Sequence, residues 1–318
     1  MAKEMMWAYF IQLGSNMWNE PGNTRGRAHR STPSASETFL FNREAWDAHT
    51  AMLKASGCNT LVVDVGEALR YESHPEINVK DSWDHATMRA EVARLRGMGF
   101  KVIPKLNFSA CHDTWLGEYS RMLSTRPYYE VCRDVIDEVC QVFDADHFHL
   151  GMDEETARNQ VNLNQCTVRQ YDLWWHDFYY LVECVERHNA RPWVWADYGW
   201  HNEELFFEKM PKEVLQQNWY YRNAFDVDKM DEASRTHLTF CDKLSAKGYD
   251  QVPTGSTWSR HQNLYQTVAY AKDRFDPSLL KGFMAAPWLM TTHEDRFRLL
   301  DDAERLFAAR QKLYPETL

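Results

Sequence analysis

Short apolar runs alternate with longer stretches of helical periodicity along the chain. Eight runs have the length and composition of strands: Trp7–Gly14, Thr60–Gly66, Lys101–Phe108, His147–Asp153, Pro192–Asp197, Leu215–Tyr220, Gln251–Gly255 and Gly282–Leu289. Between and after them the spacing predicts helices near Arg43–Ser56, Trp83–Met98, Tyr128–Phe143, Val168–His188, Glu203–Lys209, Asp228–Ala246, Leu264–Phe275 and Glu294–Leu313. Near-continuous apolar strands separated by amphipathic helices are the mark of repeated βα units around a parallel sheet. Eight such units predict an α/β fold, a single (β/α)8 TIM barrel spanning 1–318 as one catalytic domain, with a long loop at about 19–40 after strand one.

Local chemistry supports these boundaries. Gly57, Gly99 and Gly248 stand where a helix would end in a left-handed residue before the next strand. Pro127 falls at a helix start and Pro211 just past a helix end, where a missing N–H costs least.

Charge and composition narrow the function. A formal net charge of -10 argues against a nucleic-acid partner, since phosphate binding depends on clustered Lys and Arg. The one basic stretch, Arg25, Arg27, His29 and Arg30, lies among Gly, Ser and Pro and reads as a solvated loop. The N-terminus lacks a signal-peptide pattern, and no window approaches a membrane span, so a cytoplasmic, membrane-free protein is expected. The seven cysteines are odd in number and contain no C-x-x-C pair, which predicts reduced thiols and no metal site built on them.

In a (β/α)8 barrel the chemistry sits where strands end, and reactive side chains stand at those positions here. Strand one leads to Asn16 and Trp18, strand two to Asp64 and Glu67, and strand three, K-V-I-P-K-L-N-F, to Ser109 and His112. Strand four, H-F-H-L-G-M-D-E-E, ends in Asp153, Glu154 and Glu155. Strand five delivers Trp195, Asp197 and Tyr198, strand six Trp219 and Tyr220, strand seven Ser256 and Trp258, and strand eight Trp288. Aromatic faces beside carboxylates suit a sugar: the rings bury the C–H face of a pyranose and an acid can protonate the glycosidic oxygen. Trp46, Trp83, Trp174 and Trp175 follow helical spacing and are expected in the core.

F-H-L-G-M-D-E resembles the His-x-Gly-Gly-Asp-Glu motif of the family 20 glycoside hydrolases, the β-N-acetylhexosaminidases, and V-I-P-K-L-N-F-S-A-C-H resembles their strand-three segment. The likeness is strongest over about 83–200. It implies hydrolysis of terminal 2-acetamido-2-deoxy-β-hexosides (GlcNAc or GalNAc) by a retaining, substrate-assisted route. Glu154 would be the general acid/base and Asp153 would orient the 2-acetamido group. His149 would support that strand, and His112 would line the site. Trp195, Trp219 and Trp288 would wall the sugar, with Asp197 beside them. The acetamide carbonyl would be held by Tyr198, Tyr220 or Tyr221. Met152 replaces the second Gly of the motif and Asn107 stands where strand three of the family has Asp. Strand seven, V-P-T-G-S-T-W, carries no Glu that could serve as a protein nucleophile, which agrees with substrate assistance.

On this reading the partner is an oligosaccharide or glycoconjugate, no cofactor or metal is needed, and a homo-oligomer is left open. Two alternatives carry different chemistry. A metal-dependent barrel hydrolase or sugar isomerase would use His147, His149, Asp153, Glu154 and Asp197, and a non-catalytic sugar-binding barrel would keep only the aromatic walls.

Overall fold

A computed structural model describes residues 5–20, 34–161, 163–258 and 262–318. The basic stretch Arg25–Arg30 and most of the long loop expected at 19–40 lie outside the described residues. In chain order the elements are β1 Met6–Gln12, α1 Arg43–Ala55, β2 Thr60–Asp64, α2 His85–Gly97, β3 Lys101–Lys105, α3 Arg126–Phe143, β4 His147–His149, α4 Leu173–Glu186 and β5 Arg191–Trp195. There follow α5 Tyr198–His201, α6 Glu203–Lys209, β6 Leu215–Gln217, α7 Glu232–Ala246, β7 Thr254–Gly255, α8 Asn263–Arg274, β8 Gly282–Ala285 and α9 Arg296–Leu313.

All strand pairs are parallel, in the order β6-β5-β4-β3-β2-β1-β8-β7. The bridges Gln216 to Gln251 and Trp219 to Thr254 join β6 to β7 and bring the two edges together. The protein is therefore a (β/α)8 TIM barrel. Three of its helices, α1, α2 and α7, start on side-chain caps: Asn42 accepts from the Ala45 N–H, Asp84 from Thr87 and Asp231 from Ser234. α1, α2 and α7 end with Gly57, Gly99 and Gly248 at φ of 92°, 88° and 77°, the left-handed conformation that lets the chain turn back into a strand.

Alternation along the strands divides the core in two. Outward residues such as Leu61, Val63, Val102 and Phe148 pack against the helices. Inward residues fill the barrel: Ala8, Phe10, Val62, Ile103, Trp193, Trp195, Leu215, Val252 and Met284. Above this apolar layer the inward positions become polar. Lys105 Nζ donates to Asp64 Oδ2 at 2.6 Å, both fully buried, and His149 Nε2 lies 2.7 Å from Gln217 Oε1. This buried polar tier is the floor on which the site stands.

The helical tryptophans Trp46, Trp174 and Trp175 are buried as expected. Trp83 is half-buried and precedes α2, where its backbone pairs with Leu69. Several strands are shorter than their apolar runs. β4 keeps three ladder residues of the seven expected, and β6 and β8 also stop early, because the chain leaves the ladder to build the barrel mouth. All seven cysteines are free thiols, and only Cys166 is exposed. No helix among the described residues is long and apolar enough to cross a membrane.

Candidate active site

The end of β4 is where the backbone departs most from ordinary geometry. Gly151, Met152 and Glu154 have φ of 72°, 70° and 55°. Gly151 is required by space: a Cβ there would lie 2.1 Å from Asn107 Oδ1. Met152 and Glu154 hold a conformation that costs L-residues on the order of 1–3 kcal/mol each, and such strain survives only when neighbouring contacts over-determine it. Those contacts are present. The Glu154 N–H donates to Asp197 Oδ2 at 2.8 Å, and its carbonyl accepts from Cys111 Sγ at 2.9 Å and Asn159 Nδ2 at 3.0 Å. The result turns two consecutive carboxyl groups, which an extended strand would send to opposite faces, toward one cavity.

Asp153 is held from below. Asn107 Nδ2 donates to Asp153 Oδ1 at 2.8 Å, while Asn107 Oδ1 accepts the N–H groups of Ser109 at 3.1 Å and Met152 at 3.2 Å. An Asp at 107 could not make the first of these bonds while ionised, so the departure from the family pattern has a structural use here. His112 faces both acids, its Nε2 lying 3.5 Å from Asp153 Oδ2 and 3.4 Å from Glu154 Oε2. Burial alone would strip the His112 proton, but the two carboxylates outweigh it and raise its pKa. Burial would likewise raise Glu154, yet the His112 contact holds its carboxyl below the ordinary value. At Asp197 burial dominates, joined by the charge of Asp153, and the carboxyl is pushed up to about 8.

Above the acids opens a cavity of about 300 Å³, lined by Trp18, Asn19, Cys111, His112, Asp153, Glu154, Asn159, Trp219, Tyr221, Trp258 and Trp288. Trp219 and Tyr221 stack with centroids 5.0 Å apart, and Trp288 donates its indole N–H to the Tyr221 hydroxyl at 2.9 Å. Trp18 closes the opposite side, edge-on to Trp288 at 6.2 Å and to His112 at 6.4 Å. Trp258 is 48% exposed at the rim. An apolar enclosure with polar groups at one end is the ordinary form of a small-ligand site.

Eight residues singled out from the sequence meet at this cavity: Trp18, His112, Asp153, Glu154, Trp219, Tyr221, Trp258 and Trp288. Others lie elsewhere. His149 is fully buried in the polar tier: Gly151 N–H donates to its Nδ1 at 3.0 Å, which leaves the proton on Nε2 facing Gln217, and burial drives its pKa well down. It supports the β4 turn and does not line the cavity. Trp195 points into the barrel because its strand position is inward, and its ring lies 5.8 Å from Trp288, beneath the wall it was expected to form. Asp197 also stands behind the cavity, beneath Glu154, with Trp219 Nε1 at 3.4 Å from its Oδ1. Tyr198 begins α5 and stacks on Trp174 at 4.0 Å, facing a different hollow. Tyr220 packs with Met230 and Leu238 and donates to the Ala224 carbonyl at 2.7 Å. Of the three candidate tyrosines, only Tyr221 reaches the cavity. Cys111, Asn159 and Asn19 were missed, since a thiol or amide in a loop carries no sequence signal that distinguishes it from any other loop residue.

A buried ion cluster braces the two segments that bear the reactive groups. Arg169, with no exposed side chain, donates to Glu155 Oε2 at 2.5 Å, Asp177 Oδ2 at 2.6 Å, Tyr128 OH at 2.8 Å and the Phe108 carbonyl at 3.2 Å. Glu155 Oε2 also accepts the Ala110 N–H at 3.2 Å. The guanidinium therefore ties the segment carrying His112 to the one carrying Asp153 and Glu154.

Among the described residues one group has metal-ligating composition and spacing: His112, Asp153 and Glu154, with donor atoms within 4.8 Å of one another. The larger donor set considered from the sequence is dispersed. His147 lies at the other end of the barrel beside a cavity of about 720 Å³ and is paired with Asp146 at 2.8 Å. The cations at that end are neutralised, Lys101 by Asp146 at 2.8 Å and Arg191 and Lys281 by Asp250 at 2.8 and 2.9 Å. Reactive groups thus converge at the C-terminal mouth and not at this opposite end.

No protein-family model matches the chain, and no curated protein matches its sequence. Solved structures do match its fold. The β-N-acetylhexosaminidase from Bacteroides fragilis aligns with a TM-score of 0.63 and 12% identity, over 98% of this chain and 71% of that one. The Vibrio harveyi GH20 exo-β-N-acetylglucosaminidase in complex with N-acetylglucosamine gives 0.63 and 13%, over 99% and 58%. The Streptomyces plicatus N-acetyl-β-hexosaminidase in complex with Thio-NAglucal gives 0.64 and 11%, over 97% and 67%. At these identities the finding is a shared fold: the chain has the barrel seen in β-N-acetylhexosaminidases.

Proposed function

We propose that the protein is a glycoside hydrolase, a remote member of family 20, that cleaves terminal 2-acetamido-2-deoxy-β-hexosides with retention and with the substrate's own amide as nucleophile. The observation that carries this reading is the pairing of Asp153 and Glu154 at one end of an indole-lined cavity, with no further carboxylate among the described residues that line it. A retaining glycosidase with its own nucleophile needs a second carboxyl group about 5 Å across the cleft. Here both acids come from one strand end, so they suit two different tasks on one sugar.

In this mechanism Glu154 protonates the departing glycosidic oxygen while the amide oxygen attacks the anomeric carbon and forms a cyclic oxazolinium. Asp153 accepts the amide N–H and stabilises the positive charge that develops there. Water then opens the ring, with Glu154 taking back the proton. His112 bears on the first step because its Nε2 stands 3.4 Å from Glu154 Oε2, beside the carboxyl that gives up and regains the proton. Trp219, Trp288 and Tyr221 enclose the amide and exclude water from the intermediate.

The reading is tested with aryl glycosides that carry or lack a 2-acetamido group. Turnover restricted to the acetamido sugars is expected. Glu154→Gln should then abolish cleavage of substrates with poor leaving groups while sparing acidic phenols, and equal loss on both would remove Glu154 from the role of proton donor.

A further inference from the structure

His112 is more than nine-tenths buried, yet its ring is poorly satisfied. Its Nδ1 has no hydrogen-bond partner, and its Nε2 stands 3.5 Å from Asp153 Oδ2 and 3.4 Å from Glu154 Oε2, beyond the usual length of about 2.7–3.2 Å for an N–H···O bond. These separations fit something else. Ligand atoms bound tetrahedrally at about 2.0–2.2 Å from a zinc ion lie about 3.3–3.6 Å from one another along each edge. Both His112 distances fall in that interval, and all three donor atoms lie within 4.8 Å. Asp153 is also pre-oriented, since Asn107 occupies its Oδ1 and leaves Oδ2 toward His112.

We propose that His112, Asp153 and Glu154 form a tridentate site for a divalent transition metal, zinc above all, with a fourth position open to the cavity, and that metal and sugar exclude each other there. One imidazole and two carboxylates form a donor set for borderline ions; Mg²⁺, which favours octahedral oxygen and its own waters, is poorly served by it. The exclusion rests on the hydrolase reading, in which Glu154 must carry a proton and Asp153 must meet the amide; a metal takes both carboxylates. The binding itself does not depend on that reading.

The test is calorimetric titration of the metal-free chain with ZnCl2, with MgCl2 as control. One equivalent of Zn²⁺ should bind, His112→Ala should weaken it by roughly 100-fold or more, and Mg²⁺ should give no heat. Glu154→Gln, at a half-exposed position, provides a second variant should His112→Ala fail to fold. Co²⁺ bound in place of Zn²⁺ should show the strong visible absorption of a four-coordinate ion. No zinc binding by the wild type, or binding unchanged in both variants, overturns the site. The exclusion is read separately, by binding of a thiazoline mimic of the cyclised sugar with and without saturating Zn²⁺: undiminished binding overturns it. A protein that binds zinc but neither binds the thiazoline nor hydrolyses any glycoside refutes the hydrolase reading and, with it, the exclusion, while the site stands.

Discussion

Arg169→Met removes the one cation from a buried cluster without opening a large void. The guanidinium is fully buried and bonds Glu155 and Asp177 at 2.5 and 2.6 Å. Its loss strands those carboxylates unequally. Asp177 keeps the hydroxyls of Ser124 at 2.8 Å and Tyr129 at 2.5 Å, whereas Glu155 keeps only the Ala110 N–H, and its Oε1 has no partner even in the intact protein. Breaking a buried pair by deleting one member costs about 3–5 kcal/mol, because the remaining charge is desolvated without compensation. Glu155→Gln should cost less, about 1–2 kcal/mol, since Arg169 retains Asp177 and the amide oxygen can still accept. In the double variant the stranded charge of Glu155 is gone, so the combined loss should fall short of the sum of the singles by at least about 1 kcal/mol. Urea denaturation of the four proteins at one pH measures all three quantities. The kinetic consequence is distinct: the single Arg169→Met should lower kcat more than it raises KM, because it loosens the segments bearing His112 and Glu154 and leaves the aromatic walls in place. Additive losses, or a single-variant cost below about 1 kcal/mol, would refute the clamp.

Three further outcomes follow from the geometry. Asp153→Asn should lower kcat roughly 10²-fold or more, the range for losing one preorganised electrostatic partner, and should bind the thiazoline mimic weakly; a covalent sugar trapped on any carboxylate by a 2-deoxy-2-fluoro glycoside would instead demand a protein nucleophile. Trp288→Ala should raise KM by roughly 10- to 100-fold, from the loss of about 1–3 kcal/mol of aromatic burial, with the circular dichroism spectrum retained; an unchanged KM would remove the ring from the sugar wall. His112 holds its proton more tightly in the fold than the unfolded value of 6.5, so its stabilising contribution is complete below that pH and is lost as pH rises through the raised value. The stability difference between wild type and His112→Asn should therefore shrink on going from pH 6.5 upward, and a difference that grows would reverse the assignment.

The fold was legible because hydrophobic period and strand–helix alternation are local properties. The apolar runs at Thr60–Gly66 and Lys101–Phe108 contain their strands, and the glycines at 57, 99 and 248 adopt the left-handed turns their positions implied. Asp153 and Glu154 were also legible, since a strand end is defined by where an apolar run meets acids. What the sequence could not convey is which side of a closing barrel each later residue takes. Trp195 and Trp219 end adjacent strands in equally aromatic runs, yet the inward register places Trp195 in the barrel core, while Trp219, bridged to Thr254 beyond the end of β6, stands at the barrel mouth and reaches the cavity. Tyr220 and Tyr221 are neighbours, and a backbone alternation that no local pattern reports sends one to the α7 layer and the other to the site. The same holds for Arg169 and Glu155, fourteen residues apart, and for Asn107 and Asp153, forty-six apart. The first bond exists because the segment after β4 folds back on its own strand end and the second because β3 and β4 pair in the sheet, and desolvation, which makes those bonds strong and pushes Asp197 up to about 8, is a property of the packed interior and of no residue taken alone.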